Sequence, residues 1–342
     1  MKKILIPAFN ISLLLFAVIS QAQEEKQKER QKFEFVKQRD ISKTYPASGN
    51  KLSIDNHFGN VKFVGWDKNE IKVDIHIEAS SNQQDFAQKI FDAITVSDKQ
   101  QGNEIQFKTT IDNKDGKNDN CKNCKSSMTI DYEVHLPVSV ALAVENNFGN
   151  TEIPDYTGAV SISNKFGSLT AGSLSNVKNI HVEFGKASIK NISNIDATFK
   201  FSKIGISNLS GSNKINLEFC DDTKINLDNN LSSLELKESY STVNLRPGNL
   251  SASYSIATSF GSVIDRSNAS IKRTDAPDKY GPDSNKTYEG KSGNGFAKIE
   301  IKSSFGKIIV GEPTAEDLKD NSDKNKNSNK NKNKSKSGVV HL

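Results

Sequence analysis

The chain has 342 residues, 35% hydrophobic and 25% charged, with 46 Lys plus Arg, 41 Asp plus Glu and three Cys. That balance fits a globular protein and excludes a wholly disordered one. The formal net charge of +5 sits at the ends, because residues 319–342 carry seven Lys and two Asp and the start carries Lys2 and Lys3; the slightly acidic body gives no reason to expect nucleic acid.

Residues 1–22 read as a secretory signal peptide. Lys2 and Lys3 precede "ILIPAFNISLLLFAVIS", and Ser20-Gln21-Ala22 supplies the small-residue cleavage site. Pro7 and Asn10 and the short run argue against a retained membrane anchor. Export to the periplasm, the outer-membrane surface or the medium follows. Residues 23–46 are expected to be a linker, and 47–312 the folded body.

The body opens with "NHFGNVKF" from Asn56, the first of several Phe-Gly corners. Residues 69–136 then read as a β-rich insertion. "NEIKVDIHIEA", "NEIQFKTTI" and "SMTIDYEVHLP" alternate as strands do, and "QQDFAQKIFDAI" has helical spacing. Within it, Cys121 and Cys124 have C-x-x-C spacing. A redox pair needs a helix start and zinc needs two further ligands, so a local disulfide in an oxidising compartment is preferred. "IDNKDGKNDN" fails as a calcium loop, because Ile111 and Lys122 fall where carboxylates are required.

From Phe148 the corners recur with a period near 18 residues: Phe148, Phe166, Phe184, Phe201, Phe219, Tyr240, Phe260 and Phe305. Before each corner the residues alternate, as in Val160, Ile162, Asn164 and Phe166 against Ser161, Ser163 and Lys165. After it a second short strand begins, as in Ala187/Ile189 and Ile308/Val310. One such unit cannot bury its apolar face alone, whereas stacked units bury each other's. The predicted fold is an all-β parallel β-solenoid of about nine short coils. The nine aromatics, Phe58 included, are expected to stack as an interior ladder. Each corner Gly meets either a positive φ or a close backbone approach. Asn56, Asn146 and Asn164, two before the ring, are expected to face inward and bond along the stack. Cys220 replaces the corner Gly and reads as a buried free thiol, since no His stands beside it; residues 266–295 read as an excursion loop and 313–342 as a Lys/Asn-rich tail too polar to fold.

"YEVHLPVSVALAVENNFGNTEIPDYTGAVSISNKFGSLTAGSL" resembles the bacterial putative-adhesin β-solenoid family of unknown function and its relatives, the head-GIN-domain auto-transporter adhesins. The likeness rests on the Leu-Pro before Val138 and the alternation into Asn-Phe-Gly, and covers roughly residues 47–312. It implies a parallel β-solenoid on the cell envelope.

No nucleophile elbow, zincin helix or phosphate loop occurs. His57, His76, His135 and His181 fall on outward strand phases, and His341 lies in the tail. Uneven apolar spacing argues against the hexapeptide acyltransferases. Asp221, Asp222 and Asp228 are the one acidic group that keeps a carbohydrate-active enzyme in view. The reading is therefore a non-catalytic interaction protein with no cofactor or metal. It presents polar strand faces to a glycan, an envelope polymer or a protein. The alternative is self-association through terminal coils, with "FAKIEIKSSFGKIIV" as the sticky edge.

Overall fold

The computed structural model describes residues 33–112, 123–277 and 282–317. The expected signal peptide at 1–22 and the tail from residue 318 lie outside the described residues.

Among the described residues the fold is all-β with one short helix. Each repeat forms a rung: a front strand, a corner and a back strand. The first rung is β2 (Lys51–His57) and β3 (Val61–Gly65). The second is β8 (Ala141–Asn147) and β9 (Thr151–Ile153), and the third begins with β10 (Tyr156–Lys165). In β11 (Ser168–Glu183), β14 (Lys203–Glu218) and β15 (Thr223–Ser239) the back strand of one rung runs straight into the front strand of the next. β12 (Lys186–Ser193), β13 (Asp196–Lys200) and β16 (Thr242–Arg246) complete these rungs.

All of these rungs pair in parallel. β8 lies on β2, β10 on β8, β11 on β10, β13 on β11, β14 on β13 and β15 on β14. The register advances by about one repeat, setting Ile162 beside Ile180, Val182 beside Phe199 and Leu217 beside Glu238. This register keeps every inward column inward, since a one-residue slip would turn each apolar set to solvent. Val160, Ile162, Ile180, Val182, Phe199 and Leu217 from the front strands meet Leu169, Ala187, Ile189, Ile204 and Ile206 from the back strands, all at most 3% exposed. Burying a Leu or Ile side chain is worth about 1.5–3 kcal/mol, so the two-residue alternation drives the fold.

The chain departs from sequential stacking at its end. β17 (Ala252–Ser259) and β18 (Ser262–Arg266) follow β16 in the chain, yet β21 (Ala297–Ser304) and β22 (Lys307–Gly311) enter between them and the preceding rung. β21 pairs with β15 on one side and β17 on the other, and β22 with β16 and β18. The segment expected to be a terminal edge is thus bonded on both sides.

Four boundaries differ from the sequence reading. The expected linker at 23–46 contains β1 (Phe35–Pro46), paired antiparallel along all twelve residues with β4 (Glu70–Ser81). Few of its residues are apolar, as suits an edge strand, so alternation carries little signal there. The 69–136 insertion supplies a further rung, with β6 (Glu104–Ile111) parallel on β2 and β7 (Ser126–Leu136) parallel on β3. Antiparallel β5 (Ile94–Gln101) and β4 flank that rung, and α1 (Gln84–Ala93) joins them. The excursion at 266–295 contains β20 (Asn285–Lys291), antiparallel to β17, and the two-residue β19 (Lys272–Arg273). Arg273, bonded to Asp275 and Asp283, ties this segment together. Residues 313–317 are not tail: buried Asp317 accepts two bonds from Arg266, at 2.9 and 3.0 Å. Both ends of the rod are therefore covered by antiparallel strands.

Candidate interaction surface

The corners set the surface. All nine corner aromatics, Phe58, Phe148, Phe166, Phe184, Phe201, Phe219, Tyr240, Phe260 and Phe305, have positive φ, between 48° and 63°. A left-handed residue costs an L side chain about 1–2 kcal/mol. The turn also breaks the strand alternation, and the ring that counting assigns to the interior swings outside. The expected interior ladder is an exterior one: apart from half-buried Phe58, the rings are 41–55% exposed. They still stack on one another, with centroids 4.7–5.0 Å apart and planes within 1–7°. Phe305 stands between Tyr240 and Phe260, following the inserted rung. Each aromatic N–H donates to a carbonyl of the adjoining layer, as in Phe166 to Glu183 and Phe184 to Lys200, both at 3.0 Å.

The glycine after the ring is required by crowding, not by φ. A methyl on Gly149 would overlap the carbonyl oxygen of Gly59, one on Gly167 that of Gly149, and one on Gly185 that of Gly167. The column continues as Ser202, Cys220 and Ser241, whose side chains turn back onto their own corners. Ser202 Oγ donates to the Lys200 carbonyl at 2.6 Å, and Ser241 Oγ to that of Ser239 at 2.9 Å. Cys220 is free and buried, its thiol donates to the Phe199 and Glu218 carbonyls, and burial raises its pKa. It is thereby a poor nucleophile. Its corner is one residue longer than that of Ser202, since Thr223 sits beside Ile204.

Inside the corner runs a second column. Asn56, Asn146 and Asn164 are fully buried. Asn56 donates to Asn146 at 3.3 Å, whereas Asn146 reaches Asn164 only through the Thr151 hydroxyl. At the far end the same column holds Glu238, Ser303 and Thr258, each at most 4% exposed. Burial pushes the Glu238 carboxyl up to about 7, opposed by the Ser303 hydroxyl and the Ser241 N–H. Its Oε1 lies in the space that a side chain on Gly306 would fill. The alternation of Leu234, Leu236 and Glu238 held this signal, a carboxylate in an inward phase.

Polar columns flank the ladder. The residue before each ring faces outward, giving Lys165, Glu183, Lys200 and Glu218 on successive rungs. Lys200 and Glu218 pair at 2.9 Å. Next along the front face stand Ser163, His181, Thr198 and Asn216. His57, His76, His135 and His181 are all outward and unclustered. Over the first rungs an acidic trough contains Asp40, Asp74, Asp131 and Glu133, already answered by His76, Lys72, the Asn60 N–H and Lys62 respectively. Asp222 pairs with Lys224, and Asp228 accepts from the Asn230 N–H. Asp222 stands just before β15 and Asp228 six residues further along it, a span of roughly 20 Å for extended chain. Among the described residues no group of three His, Cys, Asp or Glu is placed to hold a metal ion. Cys121, and with it the expected bond to Cys124, lies outside the described residues.

No protein family and no curated protein matches the chain in sequence. Among solved structures, a "putative cell adhesion protein" from Clostridium sporogenes ATCC 15579 is 12% identical, with a TM-score of 0.21 over 81% of this chain and 100% of that one. A "putative adhesin" from Bacteroides fragilis NCTC 9343 is also 12% identical, with a TM-score of 0.35 over 80% and 97%. At these scores neither likeness decides fold or function, and the functional reading rests on the chain's own geometry.

Proposed function

We propose that this chain is an exported, non-catalytic, adhesin-like β-solenoid that binds a repetitive envelope or extracellular ligand, a glycan or a protein, on its front face. The reading rests on the columns of outward polar side chains repeated at rung spacing, such as Ser163, His181, Thr198 and Asn216. Polar donors and acceptors at a fixed interval suit a ligand that itself repeats, because each added rung adds a weak contact at little further entropic cost. The cleft lined by Thr198, Lys200, Asn216 and Glu218 on this face is open to solvent, which gives little means to desolvate a reacting group.

The test is binding of the purified mature protein to a glycan array and to isolated envelope fractions. Capture should be saturable and should weaken roughly tenfold when Thr198 and Asn216 are both changed to Ala, with unchanged circular dichroism. Polysaccharide turnover lost on Asp221→Asn with Asp222→Asn would replace this reading with an enzymatic one.

A further inference from the structure

We infer that the exposed aromatic ladder is a dimer interface, on which a second copy of this chain docks antiparallel, ridge against ridge. The inference stands apart from the front-face reading and uses a different surface. Soluble monomers rarely leave contiguous apolar surface of this kind uncovered. The eight rings that are 41–55% exposed present on the order of 700 Å², close to the ~800 Å² per partner of a standard interface. Flanking side chains supply the remainder.

Two observations favour a second copy as the occupant. The first is pitch. The rings repeat every 4.7–5.0 Å over nine rungs, and a partner meets them all in step only if it carries the same rise, as another copy does by construction.

The second is charge. A two-fold axis crossing the ridge between Phe184 and Phe201 sets Phe184 against the second copy's Phe201, Phe166 against its Phe219, and Phe148 against its Tyr240. The same operation faces Glu183 with Lys200 and Lys165 with Glu218, each pair occurring twice. The opposite flank brings Lys186 to Lys203, a like pair also occurring twice, so opposite pairs outnumber like pairs two to one. A parallel arrangement would instead face Glu183 with Lys186 but press Lys200 on Lys203 and Glu218 on Asp222, so that like pairs outnumber opposite ones two to one. Like charges facing each other across an interface are a strong selector of register.

The experiment is sedimentation equilibrium of the purified mature protein, without ligand, over a wide concentration range. A reversible dimer is expected. Lys200→Glu should weaken it roughly tenfold by setting Glu against Glu183. Mixing the Lys200→Glu protein with a Glu183→Lys protein should restore it as a mixed dimer, because positions 183 and 200 then carry opposite charges across the interface while remaining like-charged within each chain, where they are register neighbours. That rescue separates pairing between copies from pairing inside one. Phe184→Asn with Phe201→Asn, which keeps a residue tolerant of positive φ, should abolish the dimer; if that variant fails to fold, the charge pair decides. A wild-type monomer at every concentration, or a dimer indifferent to Lys200→Glu, overturns the proposal. So does a ladder that captures envelope glycan while the protein stays monomeric.

Discussion

An aromatic residue at φ near +55° is an unusual choice, since Gly or Asn takes that conformation at lower cost. Here the strain is offset by stacking: each inner ring touches two neighbours, and such contacts are worth about 0.5–1.5 kcal/mol apiece beyond area burial. Phe184→Ala would keep the strained backbone and lose both contacts, whereas Phe184→Gly would lose the contacts and relieve the backbone. Urea unfolding should show the Ala variant destabilised by about 2 kcal/mol and the Gly variant by about 1 kcal/mol less. That order reverses the usual penalty for Gly beside a strand. The neighbouring column predicts a sharper contrast. Gly167→Ala drives a methyl into the Gly149 carbonyl, while Gly205→Ala meets nothing closer than the Ala187 carbonyl oxygen at 4.0 Å. The first should cost several kcal/mol and the second should be neutral or stabilising by about 0.5 kcal/mol. Membership of the ladder was legible from spacing alone. Its side of the wall was not, because alternation carries Phe166 inward with Ile162 and Asn164, and a left-handed residue ends that counting.

Glu238 links one residue to the strand that carries it. Its folded pKa of about 7 lies above the ordinary carboxylate value because of burial. The neutral form is therefore favoured in the folded state, and its contribution is complete below about pH 4.5. It declines as pH rises through 7, to a loss on the order of 3 kcal/mol. Glu238→Gln should flatten thermal stability between pH 5 and about 8 and raise it at the alkaline end; a variant that melts in parallel with wild type at every pH would show that this carboxyl does not govern the slope. The next rung carries a prediction of its own. β21 is paired on both sides, so Ile301→Lys should unfold the upper rungs and reduce the β signal in circular dichroism, not merely block assembly. Strand phases, the helix at 84–93 and the front-face columns followed from periodicity. β1 did not, because an edge strand needs few apolar residues, and neither did β20, whose alternation is mostly polar.

At the scale of the whole molecule the decisive feature is the rung formed by β21 and β22, which comes last in the chain but not in the stack. Spacing along the sequence gives chain order, and stack order is a tertiary choice, so this exchange left no local trace. Ending the protein at Lys291 should cost two rungs, not one: β17 would keep only its antiparallel pairing with β20 and β18 would lose its pairing with β22, although their own residues are all present. Limited proteolysis of that truncated form should cut within 252–266 while sparing 156–246. During synthesis the open edges of β15 and β16 have no partner until residues 297–311 emerge. The closing segment thus works as a late keystone, and completion of the rod reports that the chain has been made through Gly311.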